Sequence, residues 1–492
     1  MHTPYAAKSH SHLYAGRGPC WPGSIRRWVG VSLALSLSCA PVLAADLVVV
    51  SLNDTGTGTL RNAIGDALAG DRIVFAPGLA GTISLNSTLT IGRDLIIEGN
   101  GNIALDGKDT SRVITITGGR VDLRRLLVRN GFAADGGGIA SAGTLRMSNC
   151  EVRNNHASAR GGGLFISAGS YSLFDTTIAD NFATNEGGGI VDLGAAPSTI
   201  TRSRIVNNIS SGAGAGIRHV SGQELTIDYS TISGNTAATT DAVTGGGIAS
   251  QSATLNINYS TISGNKSHFA GGIYVANLGA STKLNLVGST ITGNTAVSDG
   301  GGLFVFGAGA TLTNSTIANN LAGVGTGGGL TVQNSGGGSA TVIVINNTIA
   351  FNRSNANGGG INIISGSLSL KNTLIAGNIS GTNADIQAAF VSEGFNLVQT
   401  RGTSTGYVAS DLANGTLPQL ATLGFNGGPT LTVLPNAGSP AINAISSSNC
   451  ASITLDQRGY TRPANQCDIG ALEVGATPPA PPVDPVFGDG FE

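Results

Sequence analysis

Ser230-Thr231-Ile232-Ser233-Gly234-Asn235, Ser260-Thr261-Ile262-Ser263-Gly264-Asn265 and Ser289-Thr290-Ile291-Thr292-Gly293-Asn294 are three versions of one phrase. Its apolar third residue continues in both directions as a column of Val152, Ile178, Ile205, Ile232, Ile262, Ile291, Ile317, Ile349 and Ile375. Three residues after each stands an asparagine: Asn155, Asn181, Asn208, Asn235, Asn265, Asn294, Asn320, Asn352 and Asn378. A repeat of this size marks a solenoid whose neighbouring turns share one core. The Asn column has a physical cause. At a strand spacing of about 4.8 Å, each side-chain amide donates to the asparagine of one neighbouring turn and accepts from the other.

Working outward from the phrase, a second marker is a glycine followed by Ile or Leu: Gly138-Ile139, Gly163-Leu164, Gly189-Ile190, Gly216-Ile217, Gly247-Ile248, Gly272-Ile273, Gly302-Leu303, Gly329-Leu330 and Gly360-Ile361. These corners recur every 25 to 31 residues. Five residues before the reference column lies a third apolar column, Leu173, Ile200, Ile227, Ile257, Leu286, Leu312, Val344 and Leu370. Each turn therefore offers three short strands with inward apolar residues and bends between them, and the local period of two excludes a helix. The column two before the reference reads Cys150, Thr176, Ser203, Ser230, Ser260, Ser289, Ser315, Asn347 and Thr373. It shares the inward parity, so Cys150 is read as a small buried column member and not as a nucleophile. The fold class predicted is all-β: a right-handed parallel β-helix of roughly 12 coils, with a capping helix at its start and a disulfide-containing cap at its end.

Composition agrees. Glycine is 75 of 492 residues and charged residues only 11%, unlike an ordinary helical domain. A net charge of −2 offers no electrostatic case for a nucleic-acid partner. Arg17, Arg26 and Arg27 precede an apolar run from Trp28 to Leu43 and the small residues Ala44 and Ala45, the pattern of a secretory signal peptide over 1–45. Ile25, Val29 and Gly30 are poor matches to a twin-Arg signal, and Ser36 before Cys39 is a poor match to a lipoprotein signal. No second apolar run is long enough to span a membrane. Localisation is predicted as secreted or cell-surface. There, Cys450 and Cys467 bracket a short polar loop and are the natural disulfide pair.

Residues 46–131 read as an N-terminal cap and first coils, with Leu60, Ile64 and Leu68 at helical spacing over 59–68. A helix there would cover the apolar end of the stack. The regular coils occupy 132–378. The stretch from Leu52 to Ile64, Leu-Asn-Asp-Thr-Gly-Thr-Gly-Thr-Leu-Arg-Asn-Ala-Ile, resembles the start of bacterial β-helix proteins related to polymorphic outer-membrane proteins. Residues 379–475 carry Asn426-Gly427-Gly428-Pro429-Thr430, Gly438-Ser439-Pro440-Ala441-Ile442, Asp456-Gln457-Arg458-Gly459 with Arg462-Pro463, and Cys467-Asp468-Ile469-Gly470-Ala471. This set is similar to the domain called choice-of-anchor Q. The resemblance implies an exported, often surface-associated β-helix and no particular reaction. Residues 476–492 read as a Pro-rich linker and a short tail that resembles a sorting tag.

Enzymes on this architecture stack charged groups on neighbouring coils. The chain has no Asp-Asp pair, no Gly-His-Gly and no Gly-Gly-x-Gly-x-Asp motif. The best catalytic candidates are Asp135, Arg160 and Glu186, just before the glycine runs of three consecutive coils, where they would alternate in charge; a surface charge ladder is the competing account. Tyr229 and Tyr259 occupy one position on adjacent coils and are binding candidates as a small sugar platform. His156, His219 and His268 fall near turns and read as exposed, unpartnered histidines. Asp456, Arg458, Arg462, Asp468 and Glu473 cluster around the predicted disulfide and read as a cap held by ion pairs. An outward column of Thr231, Thr261, Thr290, Thr316 and Thr348 resembles an ice-binding face. No metal site and no cofactor are predicted. The function expected is non-catalytic adhesion or contact with a cell-surface glycan or protein, with specificity in the loops between each Asn and the next Gly, the longest being 236–244. The alternatives are a polysaccharide lyase or glycoside hydrolase, and ice binding.

Overall fold

The computed structural model describes residues 45–478 apart from 241–242, 252, 278–281 and 451–453. The predicted signal segment before residue 45 and the predicted tail beyond 478 lie outside the described residues. One turn of the chain runs through Ile217–His219, Leu225–Asp228, Thr231–Ser233 and Thr236–Ala237, then starts again at Ile248–Gln251. Stacked turns form three parallel sheets, which among the described residues hold 25, 12 and nine strands. The first sheet takes two strands from each turn, the second takes the strands after the glycine corners, and the third takes the short strands after the asparagines. The result is a parallel β-solenoid of about 13 turns with very little helix.

The columns read from the sequence are the register of the stack. Ile178 pairs with Ile205, Ile205 with Ile232, Ile232 with Ile262 and Ile262 with Ile291. All of these isoleucines are fully buried, and each is worth roughly 1.5–3 kcal/mol on burial. Asn155 Nδ2 donates to Asn181 Oδ1 at 2.9 Å, and the same bond repeats coil by coil to Asn352 and Asn378. Asp385 Oδ1 ends the ladder by accepting from Asn378 Nδ2 at 2.8 Å; burial raises the Asp385 pKa to about 6. A parallel ladder uses the Ser/Thr column: the backbone N–H of Ser203 donates to Ser230 Oγ, that of Ser230 to Ser260 Oγ and that of Ser260 to Ser289 Oγ. Cys150 sits in this column, 4% exposed, with its thiol pushed up to about 11 by burial.

Glycine is required at the corners by space as well as by dihedral. Gly245 has φ +66°, and a Cβ on Gly247 would lie 2.7 Å from Gly272 O and 3.0 Å from Asn265 Nδ2. The corner approaches the Asn ladder too closely for any side chain.

At the start of the stack, the helix Leu60–Asp66 buries Leu60, Ala63 and Ile64 against the first coil, with Thr59 as its N-cap. It is shorter than the spacing predicts: Ala67 is already extended and Leu68 is 58% exposed. At the far end the arrangement differs from the predicted cap. Phe390 and Tyr407 meet edge to face at 5.0 Å over the last coils, and Arg401 stacks on Tyr407 at 3.8 Å. The disulfide segment does not close that end. The described residues between 420 and 475 turn back and lie along the outer face of the first sheet as a strap. Thr430 Oγ1 donates to Gly288 O at 3.0 Å, Thr290 Oγ1 to Leu431 O at 2.6 Å, Thr316 Oγ1 to Gln457 Oε1 at 2.6 Å, and Ala471 N to Thr348 Oγ1 at 3.0 Å. Beneath the strap Leu374, Ala376 and Leu397 pack with Ala441, Ile445, Ile469 and the Cys450–Cys467 disulfide. Thr290, Thr316 and Thr348 are consequently buried, so no continuous Thr face exists for ice. Small hydroxyl side chains suit this outward column because another backbone lies on them.

Candidate functional site

In each strand of the second sheet the first and third residues point inward and the middle one outward. The outward row reads Ala140, Phe165, Val191, Arg218, Ala249, Tyr274, Phe304, Thr331 and Asn362 on successive coils. Tyr274 and Phe304 meet edge to face at 5.7 Å, Phe306 lies 6.1 Å from Phe304, and Phe269 lies 6.2 Å from Phe304 on the other side. These rings, with Thr244 and Gln333, line a pocket of about 300 Å³. Thr244 ends the longest of the variable loops.

A polar group lies further along the same face, toward the start of the stack. Arg218 is 8% exposed and donates from Nη2 to Gln251 Oε1 at 2.7 Å. Its Nε lies 3.2 Å from Glu186 Oε1 but out of line for a hydrogen bond, and its Nη1 has no partner. A buried guanidinium with unused N–H groups is costly unless something else accepts from it. Burial raises the Tyr274 phenol to about 12, and the nearby Arg218 charge partly offsets the rise.

The three catalytic candidates lie on the same face, nearer the start of the stack, but not as a triad. Arg160 forms a two-bond pair with Asp135, Nε to Oδ1 at 3.0 Å and Nη2 to Oδ2 at 3.1 Å, and its guanidinium covers the Phe165 ring at 4.8 Å. The side chain of Glu186 is turned to Arg218 on the following coil. The predicted alternating ladder is thus two separate pairs, because Arg160 spends its fork on a single carboxylate. Asp135 is held in its pair by two hydrogen bonds, whereas Glu186 faces Arg218 without one. Among the described residues no group of three His, Cys, Asp or Glu is placed to hold a metal ion.

Tyr229 and Tyr259 are on another face, at the bend between the two strands of the first sheet. Their rings stack at 5.2 Å and 11°. The Phe cluster, in contrast, escapes a search for aromatics by number. Its signal is positional: the residue after each Gly-Ile or Gly-Leu corner is outward, and Phe165, Tyr274 and Phe304 are aromatic there.

His219 overturns the exposed-histidine expectation. It is fully buried, as the third and inward residue of its strand. Its Nδ1 lies 3.1 Å from Ser250 Oγ, its Nε2 is 3.0 Å from both Gln223 O and Ser221 Oγ, and Asp192 Oδ2 is 3.8 Å away. A carbonyl only accepts, so Nε2 carries the proton. Asp192, His219 and Ser250 have the residue types of a nucleophilic triad, but none is more than 1% exposed and no substrate reaches them. Burial lowers the His219 pKa to about 4 and raises that of Asp192 to about 6. His156 and His268 do have partners: His156 lies between Phe132 and Phe182, and His268 packs on Phe269 and bonds Thr239 O.

The ion pairs expected of the C-terminal cluster form, but within the strap and not in an end cap. Arg458 pairs with Asp456 at 2.7 Å and Arg462 with Glu473 at 3.0 Å, and Asp468 accepts from Asn443 N and Val474 N. No helix among the described residues is long and apolar enough to cross a membrane.

A family model described as a right-handed β-helix region matches residues 112–287. No curated protein matches the chain. Among solved structures, pectate lyase Pel9A is 15% identical with a TM-score of 0.40, over 87% of this chain and 96% of that one. A mannuronic acid specific polysaccharide family 6 lyase from human gut microbiota is 12% identical with a TM-score of 0.30, over 66% of this chain and 87% of that one. The chain contains a right-handed β-helix region.

Proposed function

We propose that this chain is an exported, non-catalytic β-helix protein that holds a glycan against the outer face of its second sheet. The observation that carries the reading is the pocket of Phe269, Tyr274, Phe304 and Phe306 with Thr244 and Gln333 in its lining, near enough to Arg218 for its charge to act on Tyr274. Sugar rings present apolar C–H faces to aromatic side chains and hydroxyls to planar polar groups, and a concave site with a few convergent polar groups is the usual form of a binding pocket. Export rests on the N-terminal charge and hydropathy pattern. A surface location rests on the choice-of-anchor Q resemblance, whose motifs make up the strap.

A glycan array followed by titration calorimetry tests this. The expected result is binding of at least one oligosaccharide with no release of unsaturated or reducing ends, weakened tenfold or more by Tyr274→Ala and by Arg218→Ala. Depolymerisation abolished by Asp135→Ala or Glu186→Ala would overturn the non-catalytic reading in favour of a lyase or hydrolase. Binding unaffected by either pocket substitution would remove the site.

A further inference from the structure

The bend between the two strands of the first sheet is a column of outward residues, Arg125, Asn149, Asp175, Arg202, Tyr229, Tyr259, Gly288, Asn314, Asn346 and Asn372, one from each coil. The strap begins at Gly288 and covers the column from there on: Thr430 bonds the Gly288 carbonyl, Asn314 Nδ2 donates to Leu455 O and Gly470 N donates to Asn372 O. Upstream of Gly288 the bend is uncovered, and its chemistry changes. Arg120, Arg124, Arg125, Arg146, Arg153, Arg202 and Arg204 line it or the strands beside it, with Glu98, Asp122, Glu151, Asp175 and Asp228 as the carboxylates among them. Most of these arginines are paired: Arg125 with Glu98, Arg153 with Glu151 and Arg202 with Asp175. Asp122 is shared between Arg120 at 3.1 Å and Arg124 at 3.4 Å. Arg146 and Arg204 are exposed and pair with nothing among the described residues. Arg124, Arg146, Asp122, Ser148, Ser172 and Phe174 surround a shallow pocket of about 330 Å³.

The tyrosine stack closes this basic stretch. Tyr259 covers one face of Tyr229, so the open face of Tyr229, a residue 55% exposed, looks toward the arginine coils. The next residue in the column, Arg202, leans away from it: its guanidinium lies over Phe174 at 4.4 Å and bonds Asp175. A ring face is thus left open on the coil next to the unpaired Arg204, with Asp228 beside it and the strap as an end wall.

We propose that the bend from Arg146 to Tyr229 is a second binding site, separate from the aromatic pocket, that takes an anionic glycan strand. Sugar carboxylates or sulfates pair with Arg146 and Arg204, and one ring lies on the open face of Tyr229. Guanidinium forks match both anions, and the ring contact distinguishes an anionic sugar from other polyanions.

The test is binding of fluorescent polygalacturonate and of heparin to the mature chain, with neutral dextran and a DNA duplex as controls, at low and moderate salt. The expected result is that at least one of the two anionic glycans binds and dextran does not. Arg146→Glu combined with Arg204→Glu should weaken that binding tenfold or more. Tyr229→Ala should weaken it several-fold while leaving its salt dependence unchanged. All three positions are on the surface, so thermal melts should match the parent chain. Preference for polygalacturonate assigns the anion as carboxylate, and preference for heparin as sulfate. Tyr274→Ala, on the other face, should leave this binding intact; its loss there instead would overturn the second site. So would no binding of either polyanion at low salt, or equal binding of the duplex with no effect of Tyr229→Ala.

Discussion

The asparagine ladder makes each of its members a shared support. Asn235 Oδ1 accepts from both the backbone N–H and Nδ2 of Asn208, and its own Nδ2 donates to Ile205 O and Asn265 Oδ1. Asn235→Ala strands several buried polar groups at once, each costing about 1–3 kcal/mol when left unmade. A loss of about 2–4 kcal/mol in urea unfolding is expected. Cys150→Ser should change stability by less than about 1 kcal/mol, since serine is the common residue of that column. Asp192 and His219 each link stability to pH. His219, held near 4 in the fold against an ordinary value of 6.5, contributes stability that is lost as pH falls from 6.5 toward 4. Asp192, raised from 3.8 to about 6, works in the opposite sense: the fold gains stability as pH falls through that window. The two slopes oppose each other between pH 6 and 4. Asp192→Asn keeps the side chain's size, removes one slope and is expected to give a steeper acid loss than the parent in pH-dependent melts; an unchanged slope would refute the assignment.

Among the elements, the glycine corners are the least replaceable. A Cβ on Gly246 would lie 2.5 Å from Lys266 O and 2.6 Å from Gly271 O, both backbone atoms with no freedom to move. Gly246→Ala is expected to cost at least about 2 kcal/mol. Gly336→Ala, where a Cβ would meet nothing within 4 Å, should be close to neutral, and the difference in melting temperature measures the crowding. The strands themselves show why the second sheet carries a site. Its inward residues are occupied by the core, and every coil has one outward position free to vary without disturbing the register.

For the molecule as a whole, the strap sets which surface is available. The Cys450–Cys467 bond closes a sequence separation of 17 residues and is worth about 3 kcal/mol in the chain-entropy model. Reduction, or Cys450→Ser with Cys467→Ser, is expected to loosen the strap before the coils. Hydrogen exchange should then rise at Ala471 and Gly470, whose amides bond Thr348 Oγ1 and Asn372 O, while the coil amides of Ile232 and Ile262 stay protected. Simultaneous loss of both would mean that strap and solenoid unfold as one unit.

The coils were legible in the linear chain because stacking forces like onto like. An inward position must be apolar, a ladder position must be an amide, and a corner without room for Cβ must be glycine, so each constraint reappears once per turn. The pairing of Cys450 with Cys467 was readable from spacing and polarity for the same local reason. Contacts made once leave no such repeat. Nothing periodic marks Gln457 as the residue that grips Thr290 and Thr316, turns Glu186 from Arg160 to Arg218, or buries His219 against Ser250. Those depend on which coil lies next and on where residues 420–475 return. Whether an outward column is bare surface or a covered seam is decided by chain that arrives from more than a hundred residues away, and a repeat cannot encode a neighbour that comes only once.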